Sequence, residues 1–547
     1  MENLSLSRSQ SWLGWFFRGA LALFFFVLVA RLVELQVIKG SHFRKLAEGN
    51  RIRRISITAP RGKILARGGE VIVSSKEIKK RIEFNPEKGY EKKDDLKNAA
   101  PDEIITEWQR QYMLGQNAGH VTGYLGEATE DEVGKINPDC SEKGAIELGQ
   151  LMGRTGLEEE YECILSGIDG EELVEVDSSG NKVRTLGRKS PQPGKDLKTS
   201  ISIDLQKKVA EAMKEKKGAA IVTDVHGEIL ALYSSPSFDP NLFVSAKNSK
   251  EISELLNDND KPFFNRAIAG TFHPGSVVKP VVAIAALEEG EIDKDYIFND
   301  EGKITIESSY GTFTYNNWYF TQYGGVEGDI KLTKAIARST DTFFYKVGEL
   351  LGVDRLADWY HKFDYGEKTG IDLPGEVAGL VPTPEWKKNI KGESWFLGNT
   401  YHMAIGQGDV ALSPIEINTA TSAVASGGKL CSPRIATDTD CKDLGINKDY
   451  IALVREGMIG ACSAGGTGYS FFDFAPQVAC KTGTAETGIN DKTHAWFTVF
   501  APSDFPEVVA TVLVEEGGEG SQVAGPIATE IFKYWFLGEE NKTVQNE

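Results

Sequence analysis

The run FHPGSVVKPVVAIAALEEG, Phe272 to Gly290, decides the fold. Apart from Ser276 and Lys279 its residues are apolar nearly all round from Val277 to Leu287, and a helix with no polar face belongs at the centre of a domain. The surrounding sequence supplies the layers that bury it. GAAIVTD and EILALYSS flank a short turn at His226-Gly227 and form a hairpin; near the other end HAWFTVFAP and EVVATVLVEEG are two more strands, followed by the closing helix PIATEIFKYWF. Strands at both ends with helices between them imply one sheet assembled from the two termini of an α/β unit running from about 197 to 537.

On the central helix Ser276 and Lys279 stand one turn apart on the same face, where the helix N-terminus offers backbone N–H groups to an anion. Burial disfavours an ammonium, so Lys279 is a candidate to take the Ser276 proton and turn a weak hydroxyl into a nucleophile. Taken alone, Ser-x-x-Lys is a weak signal; it recurs at Ser179 to Lys182 in a polar turn, and an N-capping serine with a snorkelling lysine explains it equally. A second element, Ser339-Thr340-Asp341, lies between the helical runs KLTKAIAR and TFFYKVGELLG, where ordinary capping would account for all three residues. The third, Lys481-Thr482-Gly483-Thr484, leads into HAWFTVFAP and so falls on the sheet edge; glycine lets a substrate backbone approach, and Lys and Thr offer charge and hydroxyls to a carboxylate. Lys368-Thr369-Gly370 repeats the tripeptide but runs into a turn, IDLPGE.

The chain of 547 residues is long enough for about three or four domains. With 41% hydrophobic and 26% charged residues it is neither disordered nor a multi-spanning membrane protein. Lys plus Arg number 61 against 79 Asp plus Glu, a net charge of −18 that disfavours binding to a phosphate backbone. Cys140, Cys163, Cys431, Cys441, Cys462 and Cys480 include no C-x-x-C pair and no zinc spacing. Free, mostly buried thiols are the plainer expectation, with Cys431 and Cys441 able to pair if the domain is exported.

Trp12 to Ala30 holds Arg18 as its one charge and meets the length of a membrane span; no small-x-small cleavage site follows, so it reads as an uncleaved anchor continuing into an amphipathic helix. Arg8 and Arg18 precede or enter the span, and Arg31, Lys39, Arg44, Lys45, Arg51, Arg53 and Arg54 follow it, a bias that would place the large domain in the cytoplasm. The chemistry argues for the outside and is given precedence. From 51 to about 190 short strand-like runs suggest a mixed, mostly β region, whose charged stretch Lys76 to Glu103 reads as solvated surface; SPQPGKD, from Ser190, marks a boundary.

Three common elements in this order are a strong joint signal, and the combination resembles the penicillin-interacting acyltransferases. APRGKILARGG (59–69), GRTGLEEEYE (153–162), NRAIAGTFHPGSVVKP (265–280), STDTFFYKVG (339–348), GIDLPGE with PTPEWKK, and AIGQGDVALSP all look like class B penicillin-binding proteins, and FHPGSVVKP with Asp341 resembles the elongation-type group. The resemblance implies an α/β transpeptidase head of serine β-lactamase-like fold, 191–547, on a mostly β dimerisation-like pedestal, 46–190, with a cytoplasmic tail and one transmembrane helix, 1–45. It implies a peptidoglycan D,D-transpeptidase in which Ser276 attacks between two terminal D-alanines and Lys279 is the base. Ser339 would relay the proton, the N–H groups of Ser276 and Thr484 would form the oxyanion hole, and Lys481, Thr482, Gly483, Thr484 and Asp341 would complete the cleft and hold the substrate. It further implies inhibition by β-lactams, no cofactor, a SEDS-type membrane glycosyltransferase and other elongation-complex proteins as partners, and an extracytoplasmic head.

Three departures from the family pattern stand out. The pedestal is short between Ser75 and His120, Ala66 occupies a position usually Asp, and Cys480 replaces a small residue before the Lys-Thr-Gly strand, where a small buried thiol is the expectation. Thr340 and GGVEGD lack the His and Cys that hold a metal in some relatives, so no zinc is expected. Rival readings are a β-lactamase, for which Glu385 and Asn389 have a suggestive spacing, a D,D-carboxypeptidase, a silent scaffold or β-lactam sensor, and a globular domain with coincidental motifs.

Overall fold

The computed structural model describes residues 11–85, 89–97, 99, 103–177, 182–245, 248–309, 311–488 and 491–538. Helix Ser11–Val33 continues through a π-turn at Glu34–Ile38, and the 27 residues Trp12–Ile38 are long and apolar enough to cross a bilayer, with none of that stretch buried against other protein. The amphipathic continuation is Gly40–Arg51; β structure begins at Ile52.

The chain divides into two compact units. One is drawn from Met1–Pro60, Glu77–Trp108 and Gly167–Pro193, the other from Arg61–Lys76, Gln109–Ser166 and Gly194–Glu547. In the first, strands Ile52–Ile57, Gly170–Val176 and Lys182–Lys189 form an antiparallel sheet in which Ile55, Val174 and Val176 join Ile82 in a small core. The charged run from Lys76 carries opposite charges into ion pairs, Lys92 with Glu107 (2.5 Å) and Arg81 with Glu103 (3.0 Å), which fits a solvated face.

The second unit is built on five antiparallel strands: β1 (Gly218–Asp224), β2 (Ile229–Ser235), β3 (Ala479–Glu486), β4 (Thr493–Ala501) and β5 (Val508–Val514), in the order β2-β1-β5-β4-β3. The expected hairpin is β1–β2, and the expected union of the two ends is the β1–β5 ladder, in which Gly218 pairs with Val514 and Asp224 with Val508. Six helices matter for the site: α1 (Lys279–Glu288), α2 (Leu332–Arg338), α3 (Asp341–Lys362, broken at Gly352), α4 (Pro414–Ala425), α5 (Lys448–Ala461) and α6 (Ala524–Leu537).

Alternation along β4 shows how one strand serves two cores. Trp496 and Phe500 face α1 to α5, whereas Ala495, Phe497 and Val499 face α6 and the helix Ile203–Ala212. Full burial of each large apolar side chain contributes about 1.5–3 kcal/mol, and both faces are lined with them. In α1 every residue from Lys279 to Leu287 is buried, as a helix without a polar face requires. Its first turn departs from the expected α-helix: Gly275–Val278 is a 3₁₀ turn, and Pro280 sits where its missing N–H costs no hydrogen bond.

The cysteines correct the expectation of free thiols. Cys140–Cys163, Cys431–Cys441 and Cys462–Cys480 are disulfides, and no free cysteine remains. Only Cys431–Cys441 was legible as a pair, because those two face each other across a short hairpin. The other partners are separated by 23 and 18 residues and meet only through the packing of separate elements.

Candidate active site

The fold brings the three sequence elements into one cleft, with Ser339 as the meeting point. Lys279 Nζ donates to the Ser339 carbonyl (2.9 Å), to Ser339 Oγ (3.3 Å) and to Asp341 Oδ1 (2.7 Å). Lys481 Nζ donates to the same Ser339 Oγ (2.8 Å) and to the Thr482 carbonyl (2.9 Å). Both ammonium groups are fully buried. Burial lowers the pKa of Lys279, opposed by the Asp341 carboxylate; burial and the neighbouring Lys279 charge push Lys481 well below the usual amine range.

Capping does not explain Ser339-Thr340-Asp341. Ser339 ends α2 in the left-handed region at φ 56°, strained for a non-glycine residue, and this turn presents its hydroxyl to both lysines. Thr340 occupies the N-cap of α3 without a side-chain cap bond, and its buried hydroxyl has no hydrogen-bond partner among the described residues. Asp341, expected on the substrate side, spends both carboxylate oxygens within the protein: Oδ1 accepts from Lys279 and Oδ2 from the Trp318 backbone N–H (3.0 Å).

Ser276 lies half-buried in the 3₁₀ turn, and among the described residues no side chain is hydrogen-bonded to its hydroxyl. Such bonds are often long before a substrate tightens the site. β3 is the edge strand, as expected of the Lys-Thr-Gly-Thr segment, and it packs on that turn. A Cβ on Gly483 would lie 2.9 Å from the Pro274 carbonyl oxygen and 3.0 Å from a Val277 methyl, so glycine sets how closely strand and nucleophile turn approach. Thr484 Oγ1 accepts from the Gly520 N–H (3.2 Å), and Thr482 Oγ1 and Thr467 Oγ1 are hydrogen-bonded to each other (2.8 Å).

The decoys separate cleanly. Thr369 N–H and hydroxyl both donate to Glu376 in a turn, and the second Ser-x-x-Lys has its Ser179 outside the described residues. Glu385 and Asn389 are exposed, which removes the support for the lactamase reading.

Sequence reasoning missed the group that holds Asp341. Asn317 Oδ1 accepts the Asp341 N–H (3.1 Å) while Asn317 Nδ2 donates to Asp300 (3.2 Å); buried Asp300 also accepts from Thr342 Oγ1 (2.6 Å) and from the Gly302 and Glu327 N–H groups. Neither residue carries a spacing signal: Asp300 ends the short strand Phe298–Asp300 next to Asn299 and Glu301, and Asn317 follows Asn316 at the start of a short helix, so nothing in the sequence singles either one out. No cluster of three or more His, Cys, Asp or Glu residues suited to a metal occurs among the described residues.

Comparison with known proteins bears on the same residues. Residues 218–533 match the penicillin binding protein transpeptidase domain, and 91–199 match the penicillin-binding protein dimerisation domain. The chain is 31% identical over 599 aligned positions to the peptidoglycan D,D-transpeptidase MrdA of Escherichia coli K12, covering 95% of this chain and 93% of that one. This chain belongs to the penicillin-binding proteins, in the PBP2 group. The Acinetobacter baumannii MrdA is 34% identical over 81% of this penicillin-binding protein and 68% of its own length. Among solved structures, PBP2 in complex with MreC from Helicobacter pylori matches with TM-score 0.76 at 27% identity, covering 89% and 99% of the two chains. A peptidoglycan synthase complex, described as coordinating polymerization and crosslinking, matches with TM-score 0.75 at 28% identity over 96% and 99%.

Proposed function

We infer that this PBP2-group protein is a serine peptidoglycan D,D-transpeptidase that cross-links stem peptides during cell-wall synthesis, in cell elongation and shape, and is acylated by β-lactams. The observation that carries the residue assignment is the Lys279–Ser339–Lys481 chain of hydrogen bonds beside the Ser276 turn. Ser276 Oγ attacks the carbonyl between the terminal D-alanines, and a neutral lysine amine takes its proton. Lys279 is the nearer in sequence and shares its helical face. Ser339, in contact with both amines, passes the proton to the departing D-Ala nitrogen, and an amine of a second stem then resolves the ester.

The backbone N–H groups of Ser276 and Thr484 stabilise the oxyanion, while Thr482, Gly483 and Thr484 receive the terminal carboxylate on the edge strand. Lys481, which donates to Ser339 and to the Thr482 carbonyl, acts at the proton relay, and a bound carboxylate favours its charged form and so draws it into the carboxylate site. Asp341 acts through Lys279.

The division into anchor (1–45), pedestal (46–190) and catalytic head (191–547) accompanies this reading. The head lies outside the cytoplasmic membrane: three disulfides support an oxidising compartment, against the charge count around the anchor. Partners are a membrane glycosyltransferase of SEDS type and elongation-complex proteins, in keeping with the assemblies in which the structural relatives occur.

The test is intact mass over time after mixing the protein with a penicillin, for the parent and for Ser276→Ala. A stable adduct of the drug's mass that is absent from the variant is the expected result. An adduct retained by the variant assigns the nucleophile elsewhere, and no adduct with the parent moves the reading to a silent scaffold.

A further inference from the structure

The loop between α5 and β3 is tied to the active site at three points. At its start Cys462, the residue after α5, is disulfide-bonded to Cys480, the residue before Lys481. Further along, the Gly465 carbonyl accepts from Arg338 Nη1 (3.0 Å), and Arg338 immediately precedes Ser339. Just beyond Gly465, Thr467 and Thr482 are hydrogen-bonded through their hydroxyls, both residues being more than nine-tenths buried. The loop closes on itself through Gly466 N–H to Ser463 O (2.9 Å) and Gly468 N–H to Ala461 O (2.8 Å). A Cβ on Gly468 would come within 2.7 Å of the Cys480 sulfur and 2.8 Å of the Cys462 sulfur, so the backbone is drawn against the disulfide.

We propose that Thr467, held by the Cys462–Cys480 disulfide, is a positioning residue that orients the Thr482 hydroxyl for the substrate carboxylate. The proposal rests on the carboxylate role given to Thr482 above. A hydroxyl has one proton and two lone pairs. When Thr467 donates its proton to Thr482 Oγ1, the Thr482 proton is left to point at an anion in the cleft; without Thr467 that hydroxyl turns to satisfy itself elsewhere. The disulfide fixes Cys462, five residues before Thr467, to the strand that carries Thr482, so the donor cannot drift from its acceptor. Neither residue touches the reacting atoms.

The test compares acylation of the full-length protein in detergent by a penicillin and by the neutral methyl ester of the same penicillin. The measured quantity is the ratio of the two second-order rate constants. A charge-assisted hydrogen bond contributes enough for the parent to favour the acid by about tenfold or more. In Thr467→Val the ratio should fall about threefold or more below the parent's, through loss on the acid alone, with Thr484 and Lys481 keeping part of it, and Thr467→Ser should restore it. The paired variant Cys462→Ala with Cys480→Ala should behave as Thr467→Val does.

A Thr467→Val ratio equal to the parent's overturns the proposal, as does an equal loss on acid and ester, which is general damage rather than lost orientation. A parent that does not distinguish acid from ester overturns the carboxylate role of Thr482 and the proposal with it, while the Ser276→Ala adduct test still stands or falls by itself. Thr467→Val leaves both sulfurs in place, so its result decides whether or not the cysteine variant folds.

Discussion

Two buried ionic clusters in the same compact unit differ in one respect. In the first, Arg61 donates through Nε to Glu158 (2.6 Å) and through Nη2 to Glu162 (2.7 Å), and Arg110 Nε donates to the other Glu158 oxygen (2.7 Å). Two guanidinium groups face two carboxylates. Arginine cannot give up its proton, so the set is charge-balanced and chemically inert; the paired acids hold Arg61 protonated above its usual range, against the effect of burial. In the second, Lys279 and Lys481 share the single carboxylate of Asp341. One cation is in surplus in a dry site, and an amine, unlike a guanidinium, relieves the excess by releasing a proton. Balance makes a brace; imbalance makes a base.

Substitution in each cluster tests that contrast. Lys481→Ala should lower the rate of acylation by a penicillin about 10²- to 10⁴-fold, the range for a positioned proton-transfer group, with no loss of thermal stability because a buried cation is removed. Equal acylation rates would remove Lys481 from the proton relay. Arg110→Ala should do the reverse. It leaves Glu158 short of a partner in a fully buried site and should cost about 3–5 kcal/mol in denaturant unfolding, with acylation by the folded fraction unchanged. Asp341→Asn sharpens the comparison within the active cluster. The carboxylate favours the charged form of Lys279, so its removal lets burial dominate and the amine becomes neutral at lower pH. Acylation that depends on a neutral lysine rises as pH increases through the lysine pKa, so this limb of the pH–rate profile should move to lower pH; a shift upward would contradict the sign.

The same contrast marks what could be read from the sequence. The active cluster was legible because its lysines sit in short patterns with a chemical reason: Ser276 and Lys279 one helical turn apart, Lys481 at the start of a sheet-edge strand. The unbroken apolar run from Val277 to Leu287 and the strands at both ends pointed to the sheet and its central helix. What could not be read depends on distant contact. Asp300, at the end of a three-residue strand, and Asn317, at the start of a short helix, steady Asp341, and Cys462 meets Cys480 across a helix end and a strand. The left-handed turn at Ser339 was hidden for another reason: serine is a common cap, and the chain reverses between α2 and α3 over only Ser339 and Thr340, a conformation that capping does not need.

The order of strands has a consequence for how the protein is made. β1 and β2 emerge early, but their neighbour in the sheet is β5, nearly three hundred residues later, and Lys481 arrives on the strand at the far edge. Closing so long a loop precedes any gain from the ladder it forms. A nascent chain that already carries Ser276 therefore has no second amine beside Ser339 and no finished strand against which to lay a peptide. Its nucleophile stays idle until the last portion of the polypeptide has been delivered, so an interrupted chain is mute toward substrate and drug alike.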